Sequence, residues 1–337
     1  MTKIKTFIEH RGKAVSGDAR FKHVMAIALN PLSGYKEGVI RCIASREGDV
    51  QVKGYVDRSV LYKVSGDSLE HFDIGERLSI KNESEIIDQL GGSDGDFIGL
   101  EDPDIWIDDK TGSIHLYFTI PIRPADKKNE IKIHLGHAVG KNLDDLEMTM
   151  PVLLDTYKFS AKEVSIAPLN AKGYRFNLIE SRDRLADTTY SVVQIAIAKD
   201  MNGPWEYGDI VFHPHEHKIP WIAGHASPGP LLPDTFLNAG DGKRLGIING
   251  REANQKIEDE IKYGMFSVGL FIYDYENGKI DWVSPEPFIQ DSRAKTITFA
   301  SQFVETGPAA GILYAHVDDS FVRAYTVNAD TIKSLLP

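Results

Sequence analysis

Within the stretch FIGLEDPDIW three carboxylates, Glu101, Asp102 and Asp104, stand around Pro103. Crowded carboxyl groups raise one another's pKa, so that one keeps a proton while its neighbour is ionised. That asymmetry suits general acid–base chemistry. Glycoside cleavage uses it directly: one carboxyl protonates the leaving oxygen and a second assists attack, with about 6.5–9.5 Å between them in inverting enzymes. Further acids that could serve as the second group are Glu163, in AKEVSIAP, and Glu180, in FNLIES. The plainer reading of residues 101–104 is a solvated turn that caps a strand.

Deciding between these readings requires the elements that would hold the acids. Five segments share one design, a small or turn residue followed by a short apolar strand and then polar residues. They begin at Val39, Ser113, Gly173, Lys243 and Ala310, recurring roughly every 70 residues, as a repeat architecture does. Each is followed by another strand, often with hairpin turn chemistry such as Asn277-Gly278. Each is preceded by a strand of its own: KHVMAIALNPL, EDPDIWIDD, KEVSIAPLN, HASPGPLLP and ASQFVETG. Four strands per unit and five units predict an all-β chain folded as one five-bladed β-propeller over residues 1–337. The blades fall at roughly 20–80, 95–160, 161–215, 220–290 and 295–337, and residues 1–20 complete the last blade or cover a face. A pair of β-sandwiches is the alternative. Sustained helical periodicity with caps is not seen.

In a propeller the first strand of each blade lines a central channel. The register predicts that His23, the 101–104 acids, Glu163, His225 with Ser227, and Ser301 with Gln302 gather at one mouth of it. Strand starts could have been filled with Thr or Val, so this ring is not a packing requirement.

Composition narrows the chemistry. The formal net charge is −11, which argues against nucleic-acid binding, since that needs clustered Lys and Arg. The single cysteine, Cys42, excludes an internal disulfide and a cysteine-rich zinc site; it sits in VIRCIAS and reads as a small core residue. No run reaches the roughly 20 apolar residues of a membrane span, and no signal peptide is visible, so a cytoplasmic location is expected. HPHEH, residues 213–217, places three histidines at alternate positions, but Pro214 disfavours a central strand, so it reads as a loop and no metal is expected. Trp205 and Trp282 read as blade packing. Trp221, four residues before His225, is the better candidate for stacking on a sugar ring. No glycine-rich phosphate loop, Ser-His-Asp signature or nucleotide fingerprint is present, so no cofactor is expected.

Taken in order, these motifs resemble glycoside hydrolase family 130, whose members are five-bladed propellers that cleave or phosphorolyse β-mannosides. Gly99-Leu100-Glu101-Asp102-Pro103, a strand, a turn and Leu116-Tyr117-Phe118-Thr119 resemble that family's Glu-Asp-Pro-Arg region. Lys162-Glu163-Val164 with Pro168 and Lys172-Gly173-Tyr174 is similar to its third blade. His225-Ala226-Ser227-Pro228-Gly229-Pro230-Leu231 resembles the start of its fourth blade, and Tyr314-Ala315-His316-Val317-Asp318 its closing motif. The resemblance covers residues from about 25 to 330 and implies an inverting enzyme acting on β-linked manno-oligosaccharides. It gives the proton-donor role to Asp102. Glu163 or Glu180 would position water or act as the second carboxylate. Glu101 and Asp104 would tune the donor or bind sugar hydroxyls, with Arg58, Arg123, Trp221, His225, Tyr314 and Asp318 lining the pocket. The family's Arg after the Pro is Asp104 here. A carboxylate there would repel phosphate, and the guanidiniums near predicted strand ends are Arg58, Arg123, Arg182 and Arg251. Whether water or inorganic phosphate attacks stays open. The rival function is a sugar-binding propeller without chemistry.

Overall fold

Five antiparallel four-stranded sheets account for most of the chain in the computed structural model, which describes residues 7–50, 52, 54–126, 130–257 and 260–337. The first runs through Val24–Leu29, Glu37–Glu47, Val56–Ser68 and His71–Arg77. The second uses Glu101–Ile107, Ile114–Arg123, Lys132–Gly140 and Leu146–Leu153; the third uses Lys162–Ser165, Arg175–Leu185, Thr188–Ala198 and Glu206–Phe212. The fourth uses His225–Leu231, Lys243–Arg251, Phe266–Asp274 and Lys279–Val283. The last, Thr298–Gly307, Ala310–Val317 and Phe321–Asn328, takes its outer strand from Phe7–Glu9, paired antiparallel with Tyr325–Val327. The expected completion of the final blade by residues 1–20 thus holds for Phe7–Glu9 and for Val15–Ser16, which also pairs with Phe321–Asn328; residues 1–6 lie outside the described residues.

The sheets close into a ring. Each innermost strand touches the next, and Thr298–Gly307 returns to Val24–Leu29. The apolar core has a matching arrangement, with one cluster in each gap between neighbouring blades: Val39 and Leu61 against Leu116, Tyr117 against Ile179, Leu178 against Ile248, Ile247 against Leu313, and Tyr314 against Ile40. Blades stacked on both sides bury both faces of their middle strands. Ile114–Arg123 is accordingly an almost continuous apolar run rather than an alternating one. The architecture expected from the sequence, an all-β propeller of five blades, is the one observed.

The inner strands are not regular. Each breaks register with its neighbour, at Met25/Ile27, opposite Tyr117/Thr119, at Lys162/Val164, at Pro228/Leu231 and at Ala300/Gln302. In the first three, one residue has left-handed backbone, namely Ala26 at φ 47°, Asp102 at φ 48° and Glu163 at φ 50°. Such a bulge re-aims a side chain and costs about 1–3 kcal/mol at a non-glycine residue.

Candidate active site

Gly99 sets the approach of the acidic stretch. Its φ is 140°, and a Cβ there would lie 2.0 Å from the Ser59 carbonyl oxygen. Only glycine lets the second blade come this close to the first. The contact places Glu101 and Asp102 beside Arg41, which rises from the apolar run VIRCIA, residues 39–44, of the strand Glu37–Glu47. Arg41 donates from Nη1 to Asp102 Oδ1 at 2.7 Å and from Nη2 to Glu101 Oε1 at 2.7 Å, while its Nε donates to Ser59 Oγ. Burial opposes the charge of Arg41, but Glu101 and Asp102 outweigh it and hold the guanidinium firmly protonated. Burial, with Asp102 alongside, pushes Glu101 up to about 7 against the pull of Arg41.

The inner strand of the third blade brings two more ionisable groups. Lys162 Nζ lies 3.3 Å from Glu180 Oε1, and His225 Nε2 lies 3.0 Å from Glu180 Oε2. Burial alone would raise Glu180; His225 and Lys162 reverse that and set it well below the ordinary carboxylate range. His225 is itself drawn down by burial, against the pull of Glu180. Glu163 has the opposite fate. Burial first, and then the negative charge of Asp102, push it well above the ordinary range, with Lys162 opposing.

These groups surround a cavity of about 430 Å³ at the mouth where the inner strands begin, the near mouth. Asp102, Lys162, Glu163, Glu180 and His225 line it, together with Arg41, Arg182 and Arg251. From the fifth blade come His316 and Asp319, 3.2 Å apart, and Tyr55 donates to Asp319 at 2.8 Å. Burial would raise Asp319, but the bonds from His316 and Tyr55 pull it to about 2. Arg251 differs from the other cations. It is 8% exposed and has no carboxylate within 4 Å among the described residues. Its buried Nε lacks a hydrogen-bond partner among the described residues, and its guanidinium stacks 4.1 Å from the Tyr263 ring centre. Burial lowers its pKa. A buried cation without a counter-ion is costly unless an anion joins it.

A second cavity, about 580 Å³, opens at the far mouth, and Asp102 and Glu163 line this one too. The two spaces therefore meet at these two carboxyl groups. Asp104 and Trp106 belong to the far side. Burial pushes Asp104 up to about 7, opposed only by a backbone hydrogen bond from Ile105.

Of the residues expected from the sequence, Asp102, Glu163, Glu180 and His225 come together at the near mouth. Glu101 stands behind them on Arg41, and Asp104 faces the other cavity. Five placements are corrected. Arg58 and Arg123 both bind Asp96, each at 2.7 Å, away from both cavities. Trp221 is 6% exposed and buried against Gly250 and Gly269 of the fourth blade, in the core cluster shared with the third, its Nε1 donating to the Ser284 carbonyl. Tyr314 is fully buried in the core, its hydroxyl donating to the Leu69 carbonyl at 2.6 Å. Asp318 caps a turn, accepting from the backbone N–H groups of Lys295, Thr296 and Ile297; the next residue, Asp319, is the one in the cavity. Pro214–His217 forms a short helix, and no group of three metal-binding side chains occurs among the described residues. Arg41, Lys162 and Tyr55 escape the sequence reading. A lone Arg inside an apolar strand was the available signal for the first.

No protein-family profile and no curated protein matches the sequence. Solved structures do resemble the fold. The β-1,2-mannobiose phosphorylase of Listeria innocua, in complex with β-1,2-mannobiose, superposes with a TM-score of 0.64 at 13% identity, covering 98% of this chain and 99% of that one. A glycosyl hydrolase from Bacteroides ovatus gives 0.64 at 16% identity, covering 92% and 85%. The mannose phosphorylase MPT-4 of Leishmania mexicana, in complex with phosphate ion, gives 0.52 at 14% identity, covering 100% and 88%. At these identities what is shared is the fold, a ring of sheets around a channel that is also the frame of known carbohydrate-processing enzymes.

Proposed function

We propose that this chain is a glycoside-cleaving enzyme acting on a β-mannoside by a single displacement with inversion, and that inorganic phosphate is the attacking group. The observation that carries the reading is the make-up of one cavity: carboxyl groups held in different ionisation states by their neighbours, beside a buried guanidinium with no carboxylate within 4 Å among the described residues. The carboxyl groups supply a proton donor and fixed negative charge for an oxocarbenium-like transition state. Arg251, with His225 alongside it in the cavity wall, would hold the phosphate. One phosphate oxygen bonds to the anomeric carbon as the glycosidic C–O bond breaks. The leaving oxygen takes a proton from a carboxyl, and the product is a sugar 1-phosphate. The substrate class draws support from the mannoside-processing proteins that share the fold.

The test is incubation with β-linked mannobioses, with and without phosphate. The expected product is mannose 1-phosphate, formed only with phosphate. Arg251→Met should raise the KM for phosphate about ten- to a hundredfold, as loss of a charge-assisted hydrogen bond does, and leave the KM for the sugar nearly unchanged. Free mannose regardless of phosphate would replace phosphorolysis by hydrolysis. Sugar binding without any product would favour the non-catalytic propeller.

A further inference from the structure

We propose that Glu163 is the proton donor of this site, and that Asp102, to which the family resemblance gives that role, acts as an anion clamped by Arg41. This rests on the glycoside-cleaving reading above and divides the labour among its carboxyl groups.

The argument begins with the partners. A donor must carry its proton to the substrate, so it cannot be engaged as the acceptor of a buried cation. Asp102 accepts from Arg41 Nη1 at 2.7 Å, and Arg41 is itself fixed by Glu101 and Ser59. A carboxylate oxygen that already accepts from a guanidinium at that distance in a buried site is not free to pass a proton to a substrate. Glu180 is likewise engaged, by Lys162 at 3.3 Å and His225 at 3.0 Å. Glu163 has no cationic nitrogen within 4 Å among the described residues. The charged groups facing it are Arg41 from the first blade, Asp102 from the second, and Lys162 and Glu180 from the third. Two like charges held close cannot both ionise freely, and of this pair only Asp102 has a direct ion pair among the described residues.

Reach then selects among the carboxyl groups that burial raises. Glu101 lines neither cavity, and Asp104 lines only the far one. Glu163 lines the near cavity, and its left-handed backbone at φ 50° sits at the same bulge position as Asp102 in the neighbouring blade. Burial and the charge of Asp102 raise it further. The neutral carboxyl that a substrate in the near cavity can touch is therefore Glu163.

Two measurements test this. In the protein carrying ¹³C-carboxyl glutamate, with Glu163→Gln used to assign the resonance, the Glu163 carboxyl should remain protonated at pH 7, while that of Glu180 should already be ionised at pH 4. In turnover with phosphate present, Glu163→Gln should lose about 10²–10⁴-fold on a mannobiose. On 2,4-dinitrophenyl β-mannoside, whose leaving group needs no proton, it should stay within about tenfold of wild type. Asp102→Asn should lose comparably on both substrates. Recovery of Asp102→Asn, but not of Glu163→Gln, on the activated substrate would overturn the assignment and return the donor role to Asp102. So would an active wild type whose Glu163 titrates in the ordinary carboxylate range. A wild type inert towards both glycosides would overturn the glycoside reading itself, and Glu163 as donor with it.

Discussion

Replacing Asp104 with asparagine should stabilise the protein, and more so as the pH rises. The carboxyl is pushed from the ordinary aspartate value of 3.8 to about 7, burial being the main cause. The folded state therefore holds a proton that the unfolded state has released across that interval. Stability is fully present below pH 3.8 and is lost as the pH climbs towards 7, because the unfolded state binds fewer protons there. The interval spans roughly three pH units, each worth about 1.4 kcal/mol, which sets a ceiling of about 4 kcal/mol. Asp104 borders a cavity rather than packed core, so solvent reduces the ceiling, and about 2–4 kcal/mol is expected. The amide of the Asp104→Asn variant cannot ionise, so urea denaturation should find variant and wild type equal near pH 4, with the variant ahead by that amount at pH 8. A difference independent of pH would refute the reasoning, since it would mean that the folded state does not raise this carboxyl.

Removing the central cation has the opposite sign. Arg41→Met strands two carboxylates that it now pairs and should cost about 3–5 kcal/mol near pH 8 by chemical denaturation, with a smaller loss as acid protonates Glu101. Trp221→Ala should cost about 3–5 kcal/mol in thermal or urea unfolding and leave the KM for sugar unchanged, because the indole fills core rather than cavity. Cys42, pushed by burial up to about 12, should resist a thiol reagent at pH 8 in the folded protein and react at once in urea.

The repeat of strands, the inner strand of each blade and the gathering of Asp102, Glu163 and His225 at one mouth were legible because they follow from alternation and from the order of elements. What stayed hidden was decided by distant partners. Arg41 passes unnoticed in its apolar run, because the carboxylates that make its burial tolerable lie 60 and 61 residues away. Trp221 looked like a platform for sugar, because its spacing from His225 was visible and its slot was not. That slot exists because Gly250 and Gly269 have no side chains: a Cβ on either would come within 2.4 Å of the indole. The exchange of Asp318 for Asp319 has a similar cause. Both have left-handed backbone, at φ 48° and 46°, so neighbouring side chains leave the turn in different directions, and alternation gives no guide.

The last blade has a consequence for how the molecule comes to be. Its outer strand, Phe7–Glu9, must find Tyr325–Val327, and the side-chain bond from His10 to Thr326 spans 316 residues of chain. Bringing such distant segments together costs on the order of 5 kcal/mol in loop entropy, and topologies dominated by remote pairings fold slowly. The same seam joins the first and last inner strands. The Ala26 N–H donates to His316, Ile27 N–H to Ser301 Oγ and Leu29 N–H to Gln302 Oε1. His316 and Asp319 are thus set beside Met25 and the rest of the near mouth only when the circle shuts. A chain paused with four blades built would have Arg41, Asp102 and Glu163 in hand and still lack one wall of its pocket, so the capacity to bind should emerge in the final kinetic step of folding.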